Sequence, residues 1–455
     1  MVVMEFQSLP PSFLRQNLDA CFAGPQLLAR LPRACPTTVR FKIVDMAHDI
    51  DSTVFRTFER VSDTQKRINT MRHHNSVFHD LLKHVPWNEF DKLVDKHKAN
   101  YRSRTLKAKG HFIAMLFGQL AGAGSLRDIE AGLMSQKARL YHLGGCTVPR
   151  STLADANATR PAAFFESLFA HLAGCATRST RRHMKDARTL LDATQLKLTS
   201  LGKGWLESQN QYRAVKLHIA YDPVGSFPLE AIITNQSVHD IIPAKAMPIE
   251  PGMTYVFDMA YYDFGWWAAL HDQGCRFVTR FKSHTWLRDV EERAVEKGSN
   301  ILSDRIGHLP ERMARSRKNP MSAPMREITV RISTGKIIRI ATNDVDAPAT
   351  EIADLNKERW QIELFFKWIK QNLKIRHFLG TSENAVRIQI FIALIAYLLL
   401  RFAQATQTTI EQPKKFASLI RMNLMHRRSI QDLERPTTHH PPNDPRQAEM
   451  EFLKC

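Results

Sequence analysis

Residues 189–200, TLLDATQLKLTS, place one acidic side chain, Asp192, inside a run of apolar and hydroxyl residues that is typical of a β-strand. Two further strand-like runs follow, AVKLHIAY at 214–221 and LEAIITN at 229–235. Next, TYVFDMAYYDFG at 254–265 and CRFVTRF (275–281) alternate with helix-like spacers. Three consecutive strands followed by alternating helix and strand predict a mixed α/β sheet.

The chain before this sheet is predicted to be helical. From Asn75 to Gly145, apolar residues recur with helical spacing, as in NSVFHDLLKHVPWNEFDKLVDKH at 75–97. Ser151 or Thr152 can cap a further short helix after Pro149. Short helices joined by a glycine-rich turn suit a helix-turn-helix motif and suit a plain helical bundle equally well.

The chain after the predicted sheet contains a segment that interrupts the α/β pattern. Between Asp289 and Asp346 a basic, proline-containing stretch leads to REITVRISTGKIIRIATND at 326–344. Residues 326–344 contain two runs of alternating apolar and polar residues on either side of a glycine-containing turn. This pattern predicts a hairpin. This β-rich segment is therefore interpreted as an insertion.

The composition favours a polyanionic partner. The 455 residues include 64 Lys and Arg against 45 Asp and Glu, a formal net charge of +19. Neutralisation of phosphates by lysine and arginine drives non-specific binding to nucleic acids, so such an excess favours nucleic acid over a neutral ligand. A basic protein without a nucleic-acid partner is the alternative.

Cysteine usage and apolar runs favour a protein of the cytoplasm. The six cysteines are scattered singly and form no Cys-x-x-Cys pair, which argues against a zinc ribbon or a disulfide framework. The most apolar run, IQIFIALIAYLLL at 388–400, is shorter than the ~20 residues that span a bilayer, so we predict a core helix and no membrane partner. No signal peptide is evident.

A second acidic residue, Asp258, ends the strand-like run TYVFD, and a third, Glu363, lies in ERWQIELFFKWIKQNL at 358–373. Apolar residues wrap most of this predicted helix, whereas Arg359, Glu363 and Lys370 share one narrow stripe. Each acid has an ordinary structural explanation, since Asp258 could cap a turn and Glu363 could pair with Arg359 four residues earlier.

Three acids in apolar contexts on separate elements favour a shared site over three separate explanations. Carboxylate oxygens suit Mg²⁺ or Mn²⁺, and two such ions can assist an in-line displacement at a phosphodiester. We therefore predict that Asp192, Asp258 and Glu363 bind two divalent ions, Mg²⁺ with Mn²⁺ able to substitute, and catalyse phosphodiester cleavage.

These residues resemble the Asp-Asp-Glu (DDE) triad of bacterial insertion-sequence transposases. More narrowly, they resemble insertion sequence family four, whose signature Tyr-x2-Arg-x3-Glu-x6-Lys is matched by Arg359, Glu363 and Lys370. Asn356 stands at the tyrosine position, where it can donate to a phosphate oxygen but cannot stack. The resemblance covers about residues 71–430, and is strongest over 188–282 and 355–400.

The resemblance implies an RNase H-like catalytic core with a β-rich insertion, preceded by an all-helical N-terminal DNA-binding domain. It also implies DNA contacts on the last catalytic helix and in the insertion. The expected DNA-binding residues are Arg359, Lys370, Asn356, Lys367, Arg312, Arg315 and Lys318. The expected organisation is a poorly ordered upstream extension (1–70), the helical domain (71–165), the core (185–288 and 347–430), the insertion (289–346) and a disordered tail (431–455).

The resulting hypothesis is a bacterial, cytoplasmic DNA transposase. As the resemblance implies, it would bind the terminal inverted repeats of an insertion sequence, cleave them and join the 3′-hydroxyl ends to target DNA as a homodimer. One alternative is a related nuclease that cuts without joining. The other is a non-catalytic DNA-binding relic of a transposase.

Overall fold

The computed structural model describes residues 75–181, 187–198, 214–296, 298–312, 318–373 and 378–435. The predicted extension over 1–70 and Arg315 lie outside these residues, as does the predicted tail beyond residue 435. Residues 431–435 of that tail are described, and of these Leu433 is buried while Gln431, Glu434 and Arg435 are exposed.

Residues 75–181 form a series of helices. Ser76 and Ser125 cap two of these helices by accepting the backbone N–H of His79 and Asp128, as helix starts favour. Gly122 and Gly144 end two others in the left-handed conformation that glycine adopts without strain. The helices are α1 (Val77–Leu82), α2 (Trp87–Lys96), α3 (Ala108–Ala121), α4 (Leu126–Ser135), α5 (Lys137–Leu143), α6 (Arg150–Thr159) and α7 (Ala162–Arg181).

Within the described residues, nine strands form one mixed sheet. The strands are β1 (Arg188–Lys197), β2 (Ala214–Asp222), β3 (Phe227–Asn235), β4 (Thr254–Phe257), β5 (Arg276–Arg280), β6 (Arg288–Glu292), β7 (Ile301–His308), β8 (Met325–Arg331) and β9 (Ile337–Thr342). Their order in the sheet is β3-β2-β1-β4-β5-β9-β8-β7-β6. Strand β1 runs parallel to β4, and β4 runs parallel to β5, whereas the other neighbours are antiparallel. The predicted mixed α/β sheet and the helical region before it are confirmed.

The β-rich segment extends the sheet. The predicted hairpin is confirmed as β8 and β9, which pair antiparallel around Gly335. Strand β9 also pairs with β5, through rows that include Arg280 and Ile340. The segment therefore continues the hydrogen-bonded sheet instead of packing as a layer of its own.

Each sheet face is covered by helices and has its own apolar core. Side chains alternate between the faces along a strand, and Leu190 lies in the larger core while its neighbour Leu191 lies in the smaller one. The helices after residue 181 are α8 (Ile241–Ala246), α9 (Phe264–Asp272), α10 (Ala349–Glu358), α11 (Trp360–Asn372), α12 (Glu383–Ala405) and α13 (Pro413–Asn423). The larger core also contains residues of the N-terminal helices and of α11, α12 and α13. The smaller core contains Trp266 and Trp267 of α9.

Helix α12 is the central element of the larger core. By length and composition this helix could cross a membrane, but 83% of its most apolar 18-residue stretch is buried inside the protein. Such burial is typical of a core helix, as the run at 388–400 predicted. The helix contacts α3 and α7 of the N-terminal region and α11 of the C-terminal region, so both regions share one core.

A buried ion pair in the β-rich segment allows a prediction about stability. Arg326 on β8 donates two hydrogen bonds of 2.8 Å to the carboxylate of Asp304 on β7, and the two side chains are 2% and 5% exposed. Arg326→Met should lower the free energy of unfolding by about 3–5 kcal/mol, because it leaves a buried carboxylate without its counter-charge. Urea unfolding followed by circular dichroism measures the loss.

Arg305→Met is the matched control for this prediction. Arg305 pairs with Glu292 at 2.9 Å between exposed side chains of neighbouring strands, and such pairs contribute about 0–1 kcal/mol. Equal losses in the two variants would contradict a stabilising role for the buried pair.

Candidate active site

Asp192 and Asp258 lie at the same level of the same sheet face. The parallel strands β1 and β4 pair through Leu191 and Phe257, and each aspartate is the next residue along its strand. Leu190, two residues before Asp192 on β1, belongs to the larger core. Because side chains alternate with a period of two, both aspartates are on the face covered by α11.

Helix α11 brings Glu363 to this face. Arg359, the residue that precedes the helix, lies between the glutamate and the first strand. One terminal guanidinium nitrogen of Arg359 lies 2.7 Å from Glu363 Oε1, and the other lies 3.7 Å from Asp192 Oδ2. The arginine was predicted to face DNA phosphates; in this arrangement it faces the carboxylates and bridges two of them.

Burial and the charged groups nearby shift the pKa of Asp192. Burial raises the pKa of Asp192 to about 6, while a hydrogen bond from the Ala193 N–H opposes the rise. The Asp258 and Glu363 carboxylates raise the pKa further, and Arg359 lowers it. Neighbouring like charges disfavour ionisation in this way only at short range. A cation among these groups would therefore favour the ionised carboxylate.

The three acids suit a hard divalent cation by residue type, since carboxylate oxygens are the ligands that Mg²⁺ and Mn²⁺ prefer. The Arg359 guanidinium is a positive group already held between two of them, so it marks where a cation is favoured. As placed, no three His, Cys, Asp or Glu side chains among the described residues could hold one metal ion. Asp258 Oδ1 accepts the Ala260 N–H at 2.8 Å instead. Joint coordination therefore requires the side chains of Arg359 and Asp258 to rotate.

Arg280 belongs to this site, although the sequence analysis did not identify it. Strands β4 and β5 pair through Val256 and Val278, so Asp258 and Arg280 are each two residues further along. Burial and Arg359 lower the pKa of Arg280, whereas Asp258 and Glu363 raise it. Its Nε is buried without a hydrogen-bond partner among the described residues. Its position at the end of CRFVTRF, as Asp258 ends TYVFD, was the available sequence signal.

Lys370 also contacts the catalytic strand. Its ammonium group donates a hydrogen bond to the hydroxyl of Thr194, which lies two residues after Asp192 on the same face of β1. Lys367, one turn earlier on α11, is exposed. The two lysines therefore differ in surroundings: Lys370 is bonded to the strand that carries Asp192, and Lys367 is exposed.

The remaining predicted DNA-binding residues are placed elsewhere. Asn356 on α10 is 3% exposed, and its Nδ2 is buried without a partner among the described residues. As placed, this side chain is covered by protein, which does not support the predicted DNA contact. Arg312 and Lys318 are exposed and face each other across an isolated β-bridge, whereas Arg315 lies outside the described residues.

A polar network borders the site on the neighbouring strand. Lys216 of β2 donates a 2.9 Å hydrogen bond to Asp240, and the buried His218 lies 3.7 Å from the same carboxylate. His218 also bonds the Thr234 hydroxyl at 2.8 Å. Burial lowers the pKa of His218 to about 4, so this histidine is neutral at pH 7 and serves as a packed hydrogen-bonding group.

Two family models match the chain. Residues 183–399, which include the three acids, match the transposase DDE domain. Residues 73–146, within the helical region, match a domain of unknown function (DUF4372). The two matches lie on either side of the change from helix to sheet that the sequence predicts.

Two sequence relatives of the chain are also named as transposases. The chain is 41% identical over 293 residues to a Sinorhizobium fredii protein named as transposase y4zB, which covers 64% of this chain and 81% of the relative. It is 31% identical over 246 residues to a transposase of insertion sequence element IS5377 from Geobacillus stearothermophilus, covering 53% and 64%. A piggyBac transposase synaptic complex with hairpin DNA shows 9% identity over 85% of this chain and 86% of that chain, with a TM-score of 0.39, too low for a comparison of folds.

Proposed function

Since the chain belongs to the DDE transposases of insertion sequences, we propose that it binds the terminal inverted repeats of its element and cleaves the ends by metal-dependent hydrolysis. The freed 3′-hydroxyl ends then attack target DNA. The observation that carries this proposal is that Asp192 and Asp258 follow paired residues of two adjacent parallel strands, while Arg359 contacts both Asp192 and Glu363 of the helix packed against them. The first five strands, in the order β3-β2-β1-β4-β5, would form the RNase H-like core that the DDE domain implies.

Asp192, Asp258 and Glu363 would hold the divalent ions, Mg²⁺ or Mn²⁺. When bound, these ions activate the attacking oxygen and stabilise the leaving oxygen of an in-line displacement. The chain itself sets the positions of the acids, because two lie on adjacent parallel strands and the third lies on a helix packed against them. Arg359 neutralises Asp192 and Glu363 until the site is loaded, and then becomes available to a DNA phosphate.

Cations on several elements would divide the remaining work. Arg280 lies on β5 level with Asp258, and Lys370 on α11 is bonded to Thr194, two residues after Asp192. Both are cations, so they suit the phosphates on either side of the scissile bond. Arg312, Lys318 and Lys367 are exposed cations that suit more distant phosphates. Asn356 would reach DNA only after a rearrangement of α10.

The helical N-terminal region is proposed to recognise the inverted repeats. Its net-basic surface suits a phosphate backbone, and its shared core with α12 keeps that surface at a constant position relative to the catalytic helix. Two protomers would bridge the two element ends. The protein would act in the bacterial cytoplasm, where its DNA substrates are.

One assay distinguishes the proposal from its rivals. The purified chain is incubated with a labelled element end and supercoiled target plasmid, with Mg²⁺, with Mn²⁺ or with EDTA. A transposase cleaves the end and joins a precleaved end to the plasmid only in the two metal-containing reactions. Cleavage without joining identifies the nuclease alternative. Salt-sensitive binding without cleavage identifies the relic.

Lys370→Ala should weaken binding to an element end and lower the salt slope of the binding constant by about one. The reason is that this lysine is proposed to neutralise one phosphate. Fluorescence anisotropy at several salt concentrations measures the slope. Lys367→Ala should change cleavage less than Lys370→Ala, because Lys367 is exposed on α11 whereas Lys370 is bonded to Thr194 on the strand that carries Asp192. An unchanged slope in Lys370→Ala would remove Lys370 from the phosphate contacts.

A further inference from the structure

A basic loop joins α2 to α3 in the helical region. This basic loop, residues 98–107 with the sequence KANYRSRTLK, lies in a stretch from 96 to 127 that contains no Asp or Glu. Its four cations are Lys98, Arg102, Arg104 and Lys107, all of them exposed. Among the described residues, none of these four side chains forms an ion pair with a carboxylate. The loop therefore presents uncompensated positive charge.

The backbone of the basic loop is held at both ends by one buried arginine. Arg160 donates a 2.8 Å hydrogen bond to the Ala99 carbonyl and a 2.7 Å bond to the Leu106 carbonyl. The side chains of Ala99 and Leu106 are themselves buried. Asn100 Oδ1 accepts the Ala108 N–H at 2.7 Å, which ties the loop to the start of α3. The apolar residues thus face inwards, and the charged residues face solvent.

The conformation of the loop favours this division. Lys98 and Arg102 adopt positive φ angles of 49° and 54°, which non-glycine residues rarely do. At these two residues the chain changes direction, so that Ala99 is buried while the side chains of Lys98 and Arg102 are exposed. Tyr101 is 70% exposed, and the Arg102 guanidinium lies 5.2 Å from its ring centroid. An exposed aromatic ring among arginines suits a nucleic acid, since it can pack against a sugar or a base.

The loop is connected rigidly to the catalytic half of the chain. Asn384 of α12 donates hydrogen bonds of 2.7 Å and 2.9 Å to the carbonyls of Arg160 and Asn157. It also accepts the Ala162 N–H at 3.2 Å. Gln119 at the other end of α3 bonds the carbonyl of Leu373, directly after α11. DNA bound at the loop would therefore keep a defined position relative to the helix that carries Glu363.

We propose that the basic loop binds the sugar–phosphate backbone of duplex DNA and thereby helps to position an element end for cleavage. This inference rests on the proposed function, which supplies the duplex substrate. Lysine and arginine side chains neutralise phosphates without reading sequence. The loop consequently contributes affinity and orientation, and sequence recognition belongs to other residues of the helical region.

The test replaces Lys98, Arg102 and Arg104 with glutamine together. The triple variant should bind a labelled duplex of random sequence at least about tenfold more weakly at low salt, and the slope of log K against log salt should fall by about two to three. Each single variant should lower the slope by about one. The loss should be equal for an element-end duplex, because phosphate contacts carry no sequence information.

The control carries the same change in charge at residues already paired with acids. Lys83, Lys92 and Arg435 lie 2.6 Å, 3.2 Å and 3.0 Å from carboxylates, and their triple glutamine variant should retain wild-type binding. Thermal melting should give equal Tm values for the two triple variants, because all six side chains are exposed.

Two results separate failure of this inference from failure of the proposed function. Binding and salt slope as in the wild type in the loop variant would overturn the loop assignment, whatever the cleavage assay shows. A wild-type protein that binds duplex through the loop but never cleaves an element end would leave the loop assignment standing and overturn the transposase activity. A loss confined to single-stranded DNA would also overturn the duplex assignment.

Discussion

Replacing Glu363 with glutamine is expected to lower strand cleavage of an element end by at least about a thousandfold. Metal ions stabilise a phosphoryl transition state by several kcal/mol, and each 1.4 kcal/mol corresponds to about a factor of ten in rate. The amide keeps the shape of the side chain but loses the negative oxygen that would bind the ion. Asp192→Asn and Asp258→Asn should have effects of the same size, because the three acids act as one site.

DNA binding should survive these substitutions. Each variant removes one negative charge beside Arg280 and Arg359, so the affinity for an end duplex should be equal to or higher than that of the wild type. Cleavage is measured on a labelled end and binding by anisotropy on the same duplex. Glu351→Gln is the control, because Glu351 is an exposed acid at the start of α10. Cleavage near the wild-type rate in any one of the three active-site variants would refute the assignment.

Arg280→Ala is expected to lower cleavage by about 10²–10³-fold, the usual effect of removing one preorganised donor from a developing oxyanion. The residue lies two positions beyond Val278 on β5, level with Asp258 on β4. Its buried Nε has no hydrogen-bond partner among the described residues, and its guanidinium lies near enough to Asp258 and Glu363 for their charges to raise its pKa. Arg280→Lys should restore part of the rate, since lysine keeps the charge but not the planar fork.

The control for Arg280 lies on the same strand. Arg276 at the start of β5 pairs with Asp344 at 3.2 Å, away from the carboxylates, and Arg276→Ala makes the same change in charge. We expect it to cleave at nearly the wild-type rate at a temperature where both variants are folded. Equal rates for Arg276→Ala and Arg280→Ala would show that Arg280 has no specific role in the reaction.

The sequence analysis succeeded where the information is local. Alternating apolar residues around Asp192 predicted a strand, and the helical spacing of 75–97 predicted helices; both are confirmed. The hairpin at 326–344 is likewise confirmed, because a glycine-containing turn between two alternating runs specifies its own pairing. The assignment of Asp192, Asp258 and Glu363 to catalysis remains a prediction, supported by their position on one face.

The sequence analysis was incomplete where partners are distant along the chain. It placed Arg359 towards DNA or in a pair with Glu363, but it did not predict that the arginine also lies 3.7 Å from Asp192. It identified an insertion but not its pairing with β5, which helps to position Arg280. It treated Asn356 as a DNA contact, although packing of α10 buries the side chain. None of these features has a periodic signal within its own segment.

The sequence by itself determined which segments are strands and helices, and which of them carry an acid in apolar surroundings. The tertiary structure alone decided that Asp192, Asp258 and Arg280 share one level of the sheet and that Arg359 occupies the space between two carboxylates. The physical reason is that side-chain periodicity follows from local backbone geometry. Strand order and register instead depend on pairing between residues that are distant along the chain. A register slip of one residue would move every side chain of a strand to the opposite face of the sheet.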